Sequence, residues 1–314
     1  MQNQTFFMSS EGKSLFDAGR LMRSKSDREL LWGHTSVILI SQALAKDGIE
    51  KHIDAIRRIR QFRNSTLMYV TEDKASDVLQ TSTPLTSITA QLLRGLTIGG
   101  EDTALTHEVK LIDVYQEMVN HFRDFNIPAI QIIKDPIMNG KQLLQAKGLY
   151  TFRGDRLAGL MDAQETKGFL RAFGKVEGAL ETLPCGTAKT ITFENIRNKS
   201  RIKPQLDSNQ KPITRIEIYA DLNITSMQCS NIEVTPQTIA EWEKQLNHDI
   251  AEEVQGFIRY SQDHQVDLLG IGEMIHRKHP KHWKQMKKNW SEIYPSSQFN
   301  VEVHSRIDHT NFIL

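Results

Sequence analysis

Three histidines, His276, His279 and His282, recur at steps of three in a stretch that also holds Arg277, Lys278, Lys281, Lys284, Lys287 and Lys288. No acidic residue occurs between His276 and Trp290. Imidazole is a common metal ligand, so a metal site, with a metal-dependent hydrolase built on it, is the first chemistry to weigh. The spacing argues against it. Steps of three drift around a helix, Pro280 interrupts the segment, and no carboxylate or cysteine inside it completes a ligand set. The segment reads instead as a basic face, either merely solvated or meeting anionic lipid or an acidic partner. The six cations from Arg277 to Lys288 are the candidate partner or membrane surface. Trp283 and Trp290 lie two turns apart, which suits anchoring in a core better than stacking on bases.

Other chemical signals are weaker. Arg153-Gly154-Asp155 spells a cell-adhesion tripeptide, but Gly and Asp are also what a tight hairpin turn selects. Gly270 and Gly272, in Asp267-Leu268-Leu269-Gly270-Ile271-Gly272, lack the dinucleotide fingerprint and a strand before them. They read as a turn after a long helix, with Asp267 available to cap it. Glu252 and Glu253 read as solvent-facing carboxylates on the polar side of that helix. There is no G-x-S-x-G elbow, no phosphate-cradling G-x-x-x-x-G-K-[ST] and no H-E-x-x-H. No catalytic, cofactor-binding or metal-ligating residue is assigned. Cys185 and Cys229 lie 44 positions apart, outside any Cys-x-x-Cys arrangement. Two buried thiols are the default for such a pair; a disulfide requires export from the cytosol.

The elements that must position these residues can be read from periodicity. Helices are expected at Lys13–Arg23, Gln42–Lys46, Ile49–Phe62, Asp73–Leu79, Leu85–Leu96 and Glu108–Phe125, with Arg57, Arg58, Arg60 and Arg63 on the outer face of the third. The Gly99-Gly100 pair is expected to form the loop before the sixth. Short strands fall at Thr35–Ile40, Ser65–Thr71 and Asn126–Asp135, and Pro136–Gly140 reads as a linker. A hairpin, Leu149–Phe152 with Arg156–Leu160, precedes a helix at Ala163–Phe173 opened by an Asp162/Glu165 capping box. Thr190–Ile196 is a strand. From Arg215 to Thr225, Ile216, Ile218, Ala220, Leu222 and Ile224 alternate with polar residues, predicting a long strand with one buried face. Thr235 and Pro236 open a helix whose stripe from Ile239 through Trp242, Leu246, Ile250 and Val254 to Ile258 continues to about Gln262. A short helix near Trp283–Trp290 and a strand at Phe299–Ile307 follow.

Composition bounds the class. The 314 residues suit two domains, and 39% hydrophobic with 25% charged residues is globular composition. A net charge of +1 exerts no global pull on nucleic acid. The longest aliphatic run is Val37-Ile38-Leu39-Ile40, against the roughly 20 apolar residues a membrane helix needs. Met1 is followed by neither a basic nor an apolar leader segment.

The order of motifs then becomes informative. Asp162-Ala163-Gln164-Glu165-Thr166-Lys167-Gly168, Leu183-Pro184-Cys185, Lys199-Ser200-Arg201-Ile202-Lys203-Pro204, Val266 to Gly272, His276 to Trp283 and Lys288 to Pro295 occur in sequence. This half resembles the Ger(x)C family, the C subunits of spore germinant receptors. Ser10-Glu11-Gly12-Lys13, Trp32-Gly33-His34, Ala45 to Ile49 and Asp54 resemble its amino-terminal region more loosely. The resemblance implies an α+β multidomain fold of mixed sheets with flanking helices, divided as residues 1–140 and 147–314. It implies a non-enzymatic protein without cofactor, acting with two integral membrane subunits at the outer face of the spore inner membrane in nutrient-triggered germination. Family members begin with a lipoprotein signal, a lipidated cysteine and further strand residues; this chain is expected to start beyond them. The competing expectations are a soluble solute-binding module that captures the germinant and the metal-dependent hydrolase already weighed.

Overall fold

The computed structural model describes residues 6–59, 61–81, 83, 86–120, 123–137, 139–229 and 232–309. Arg60 and the expected helix start at Leu85 lie outside them. The chain forms two compact units, one of residues up to Ile98 with His107–Leu160, the other of Gly99–Thr106 with Met161 onward. Each contains helices and a mixed sheet, so the fold is α+β with two domains.

The first unit opens with α1 (Leu15–Arg23), followed by β1 (Val37–Ser41), α2 (Gln42–Asp47), α3 (Glu50–Arg58), β2 (Leu67–Thr71), α4 (Ala75–Gln80) and α5 (Thr89–Asp102). Then come α6 (Leu111–Asn120), β3 (Phe125–Asp135), β4 (Lys141–Arg153) and β5 (Arg156–Met161). The strands are ordered β1-β2-β3-β4-β5, with β1, β2 and β3 parallel and β4 antiparallel to β3. Parallel neighbours require crossovers, which α2 and α3 provide between β1 and β2. All five residues of β2 are buried, which explains why Leu67-Met68-Tyr69-Val70-Thr71 does not alternate. Ile53 and Ile56 of α3 join Val70, Phe125 and Phe152 in one core, where the two Phe rings stack at 4.9 Å.

Two local expectations are corrected here. The expected linker after Asp135 does not separate two domains, because β3 and β4 on either side of it pair from Asp135↔Lys141 to Phe125↔Phe152. That long antiparallel pairing ties residues 141–160 to the first unit. The Gly99-Gly100 pair lies inside α5. A Cβ at Gly100 would run into the Thr106 side chain, so glycine serves a close approach there and does not break the helix. The Arg153-Gly154-Asp155 tripeptide does lie at the β4–β5 turn, with Gly154 at φ +61°. Asp155 is engaged within the first unit, its carbonyl accepting from the distant Ile49 N–H at 3.0 Å.

The second unit comprises α7 (Ala163–Ala172), β6 (Leu180–Gly186), β7 (Lys189–Leu206), β8 (Pro212–Met227), α8 (Pro236–Asp263), α9 (Ile271–Lys278), α10 (Pro280–Met286), α11 (Trp290–Ile293) and β9 (Gln298–His309). Its strands are ordered β6-β7-β8-β9, antiparallel except for the parallel β8–β9 pair. The alternation in β8 is realised, with Ile216, Ile218, Ala220, Leu222 and Ile224 all buried. The capping box is present, Asp162 accepting from Glu165 N–H and Glu165 from Asp162 N–H, each at 2.9 Å. Long helix α8 buries its predicted stripe from Trp242 to Ile258, leaves Ile239 half-buried, and packs on α7 and β9. Gly168 permits that contact, since a Cβ there would overlap the Glu253 carbonyl. Cys185 and Cys229 are joined as a disulfide with Cα atoms 6.2 Å apart, replacing the expectation of two thiols. β8 brings the two cysteines together by carrying the chain back along β7, a long-range return no local spacing reveals.

Candidate functional site

The six cations from Arg277 to Lys288 are all exposed, and they rest on a buried framework. The framework starts at the turn after α8. Gly270 adopts φ +70°, the left-handed region, and serves as N-cap of α9. Asp267 is buried beneath this turn, 3% exposed. Its carboxylate accepts hydrogen bonds from Ile271 N–H at 2.9 Å, Gly272 N–H at 2.7 Å and Trp290 Nε1–H at 3.1 Å. The first two donors belong to the first turn of α9, which has no intrahelical partners for them and favours negative charge. The capping role expected of Asp267 is therefore observed, with the Trp290 bond in addition.

Gly272 has a different reason. A Cβ there would lie 2.6 Å from Trp283 Cη2 and 2.9 Å from Trp290 Nε1. The two indoles meet edge-to-face at 5.1 Å, and Trp290 continues to Tyr294 at 5.9 Å. Tyr294 in turn shares a 2.6 Å hydroxyl hydrogen bond with Ser261 of α8. Trp283 is buried, as core anchoring requires. This aromatic ladder pins α9, α10 and α11 while their other side stays in water.

The cations follow from that geometry. Trp283, Met286 and Trp290 lie at i, i+3 and i+7 and turn inward, and Lys281, Lys284 and Lys288 repeat the same spacing on the outer side. Arg277 and Lys278 occupy the last turn of α9, where a positive charge is favoured by the exposed carbonyls. Of the three histidines, His279 and His282 stand edge-to-face at 6.2 Å, and His276 faces Trp283. Among the described residues no three His, Cys, Asp or Glu side chains are grouped to hold a metal ion.

One polar cluster escaped the sequence reading. Arg171 of α7 is fully buried. Its guanidinium donates to Glu253 Oε1 at 2.7 Å, to Asn195 Oδ1 at 3.0 Å and to Glu181. Lys167, one turn earlier, adds contacts to Glu181 at 2.8 Å and Glu253 at 3.2 Å. Glu253 is thus not the solvent-facing partner of Glu252 that its helix position suggests, although Glu252 itself is exposed. Each donor meets an acceptor, so the cluster ties α7, β6, β7 and α8 together as a structural clamp. The only local signal was Lys167 and Arg171 at i and i+4, which by itself reads as a solvated helix face.

No helix among the described residues is long and apolar enough to cross a membrane. Residues 147–311 match the family described as spore germination B3/GerAC like, C-terminal, and residues 1–132 match the spore germination protein N-terminal domain. Spore germination protein KC of Bacillus subtilis (strain 168) is 23% identical over 318 residues, covering 96% of this chain and 78% of its own. Spore germination protein B3 of the same organism is 22% identical over 312 residues, covering 96% and 79%. The crystal structure of the GerBC protein superimposes with a TM-score of 0.71 at 19% identity, over 91% of this chain and 82% of that one, a likeness of fold. With both its amino-terminal and carboxy-terminal regions matched in order, the chain belongs to the Ger(x)C family of spore germination proteins.

Proposed function

We propose that this chain is a non-enzymatic subunit of a spore germinant receptor and acts with two integral membrane subunits in nutrient-triggered germination. The observation that carries the reading is the ordered match of both regions to spore germination families, across nearly the whole chain. The Cys185–Cys229 disulfide supports placement outside the cytosol, at the outer face of the spore inner membrane, because such bonds persist in oxidising surroundings. The exposed cations Arg277, Lys278, Lys281, Lys284, Lys287 and Lys288 supply a surface for anionic lipid or an acidic subunit.

The test is co-purification from spore membranes. The chain, tagged at its carboxy terminus, should retain two integral membrane subunits, and its deletion should slow germination on the nutrient served by that receptor. Recovery without either subunit, together with unchanged germination in a strain lacking sister receptors, would sink the proposal. For the basic surface, binding to phosphatidylglycerol vesicles should fall as salt rises, since screening shortens to about 8 Å at physiological ionic strength. Changing Lys281, Lys284, Lys287 and Lys288 to Gln should remove that salt dependence. Unaltered binding would make the segment a solvated face only.

A further inference from the structure

The sheet of the second unit has one face covered by α8 and one open. On the open face β7, β8 and β9 set charged residues side by side. Arg197 pairs in register with Asp221 and Asp221 with Arg306; Lys199 pairs with Tyr219 and Tyr219 with His304; Arg201 pairs with Glu217. A cavity of about 640 Å³ opens here, lined by Arg197, Lys199, Arg201, Arg306, Tyr219 and the single carboxylate Asp221, together with residues 173–174, Asn198 and Ser200. Asp221 is shared between Arg197, at 2.6 Å, and Arg306, at 3.6 Å. Lys199 and Arg201 have no ion pair among the described residues; Arg201 lies over the Tyr219 ring at 5.8 Å. Tyr219 is 40% exposed and stacked on His304 at 5.1 Å.

Arg306 is also paired with Asp308 at 2.6 Å, and Glu217 lies in register with Arg201, so the positive charge is partly offset and Lys199 and Arg201 carry the unpaired share; the patch sits well away in sequence from the basic segment of α9 and α10. Its layout selects among anions. Residues on one face of a strand repeat every second position, about 7 Å apart, so Arg197, Lys199 and Arg201 span about 13 Å. An extended peptide with acidic side chains at alternate positions presents carboxylates at the same 7 Å repeat. Arginine and tyrosine are also the residue types that carry most energy in protein interfaces. We propose that this cavity docks an extended acidic segment of a partner protein, with carboxylates at every second residue meeting Arg197, Lys199 and Arg201 and an apolar side chain resting on Tyr219. The inference does not depend on the receptor reading or on the α9–α10 surface.

Fluorescence anisotropy with two labelled ten-residue peptides of identical composition tests it, one alternating Glu with Val or Thr, the other with all Glu at one end. The alternating peptide should bind at least fivefold more tightly, and its affinity should fall as salt rises from 50 to 300 mM. Lys199→Glu with Arg201→Glu should weaken it at least tenfold, and the milder Lys199→Gln with Arg201→Gln by a smaller factor. The urea midpoint should stay unchanged for the Gln pair, because both side chains are exposed, whereas Arg201→Glu sets a like charge opposite Glu217 and should lower it slightly. Changing the four lysines 281, 284, 287 and 288 to Gln should leave peptide affinity intact. Equal binding of the two peptides, or indifference to the Lys199 and Arg201 changes, overturns the proposal. So does capture of inorganic phosphate or phosphatidylglycerol vesicles through these residues when the alternating peptide does not bind.

Discussion

Replacing Asp267 by Ala should loosen the basic surface without touching a single cation. The carboxylate holds three donors, the Ile271 and Gly272 N–H groups and the Trp290 indole, in a site from which water is nearly excluded. A hydrogen bond to a charged group contributes about 1.5–3 kcal/mol, and each buried donor left without an acceptor costs about 1–3 kcal/mol. These terms overlap, and removing the carboxylate also relieves its own desolvation. The net expectation is a loss of about 3–4 kcal/mol from the second unit, and about half that for Asp267→Asn, which keeps one acceptor oxygen. Urea unfolding followed by tryptophan fluorescence is the assay, because Trp242, Trp283 and Trp290 all belong to this unit. The midpoint should drop with little change in slope. Trypsin offers a second readout, since it cuts after Arg and Lys: cleavage between Arg277 and Lys288 should accelerate in urea well below the unfolding midpoint. An Asp267→Ala protein within about 0.5 kcal/mol of the parent, with the same trypsin pattern, would refute the claim that this carboxylate fixes the segment.

Other substitutions probe the rest of the second unit. Arg171→Met leaves Lys167 as the cation shared by the Glu181 and Glu253 carboxylates and should cost up to about 3–5 kcal/mol; adding Glu181→Gln and Glu253→Gln should recover much of it in the same urea titration. Reduction of Cys185–Cys229, which closes a loop of sequence separation 44, should lower stability by up to about 4 kcal/mol, visible as a midpoint shift on adding reductant. Glu165 has its carboxyl raised above the usual value of 4.5, chiefly because burial disfavours its charged form. The folded state therefore binds this proton more tightly than the unfolded chain does, and stability is lost as pH rises from the unfolded value through the folded one. Glu165→Gln should be the more stable protein at pH 7, with its advantage vanishing below pH 4.5, as thermal melts across that range would reveal.

Elements governed by local physics could be read directly. The alternation of Ile216 to Ile224 specifies a half-buried strand, the Thr235-Pro236 start with its apolar stripe specifies α8, and Asp162 with Glu165 specifies the cap of α7. The order of motifs also carried the family. The basic run was legible as an exposed surface because Trp283, Met286 and Trp290 share its helical period with the lysines.

What failed to be legible is what depends on neighbours distant in sequence. Strand β6 is short and contains Pro184, which weakens any local strand signal; its existence rests on pairing with β7. Likewise, β7 continues to Leu206 because β8 supplies partners beyond Ile196. Gly272 resembled a flexible turn residue, yet its missing side chain is required by two indoles that arrive later in the chain. Arg171 and Glu253 look like solvated charges on two helices until the close crossing at Gly168 buries them together. Sequence alone determined the local elements, their faces and the family, since hydrophobic period and capping act within a few residues. Only the tertiary structure decided which charges are buried, which cysteines meet and which basic side chains share a cavity, because strand register and helix crossing set those distances.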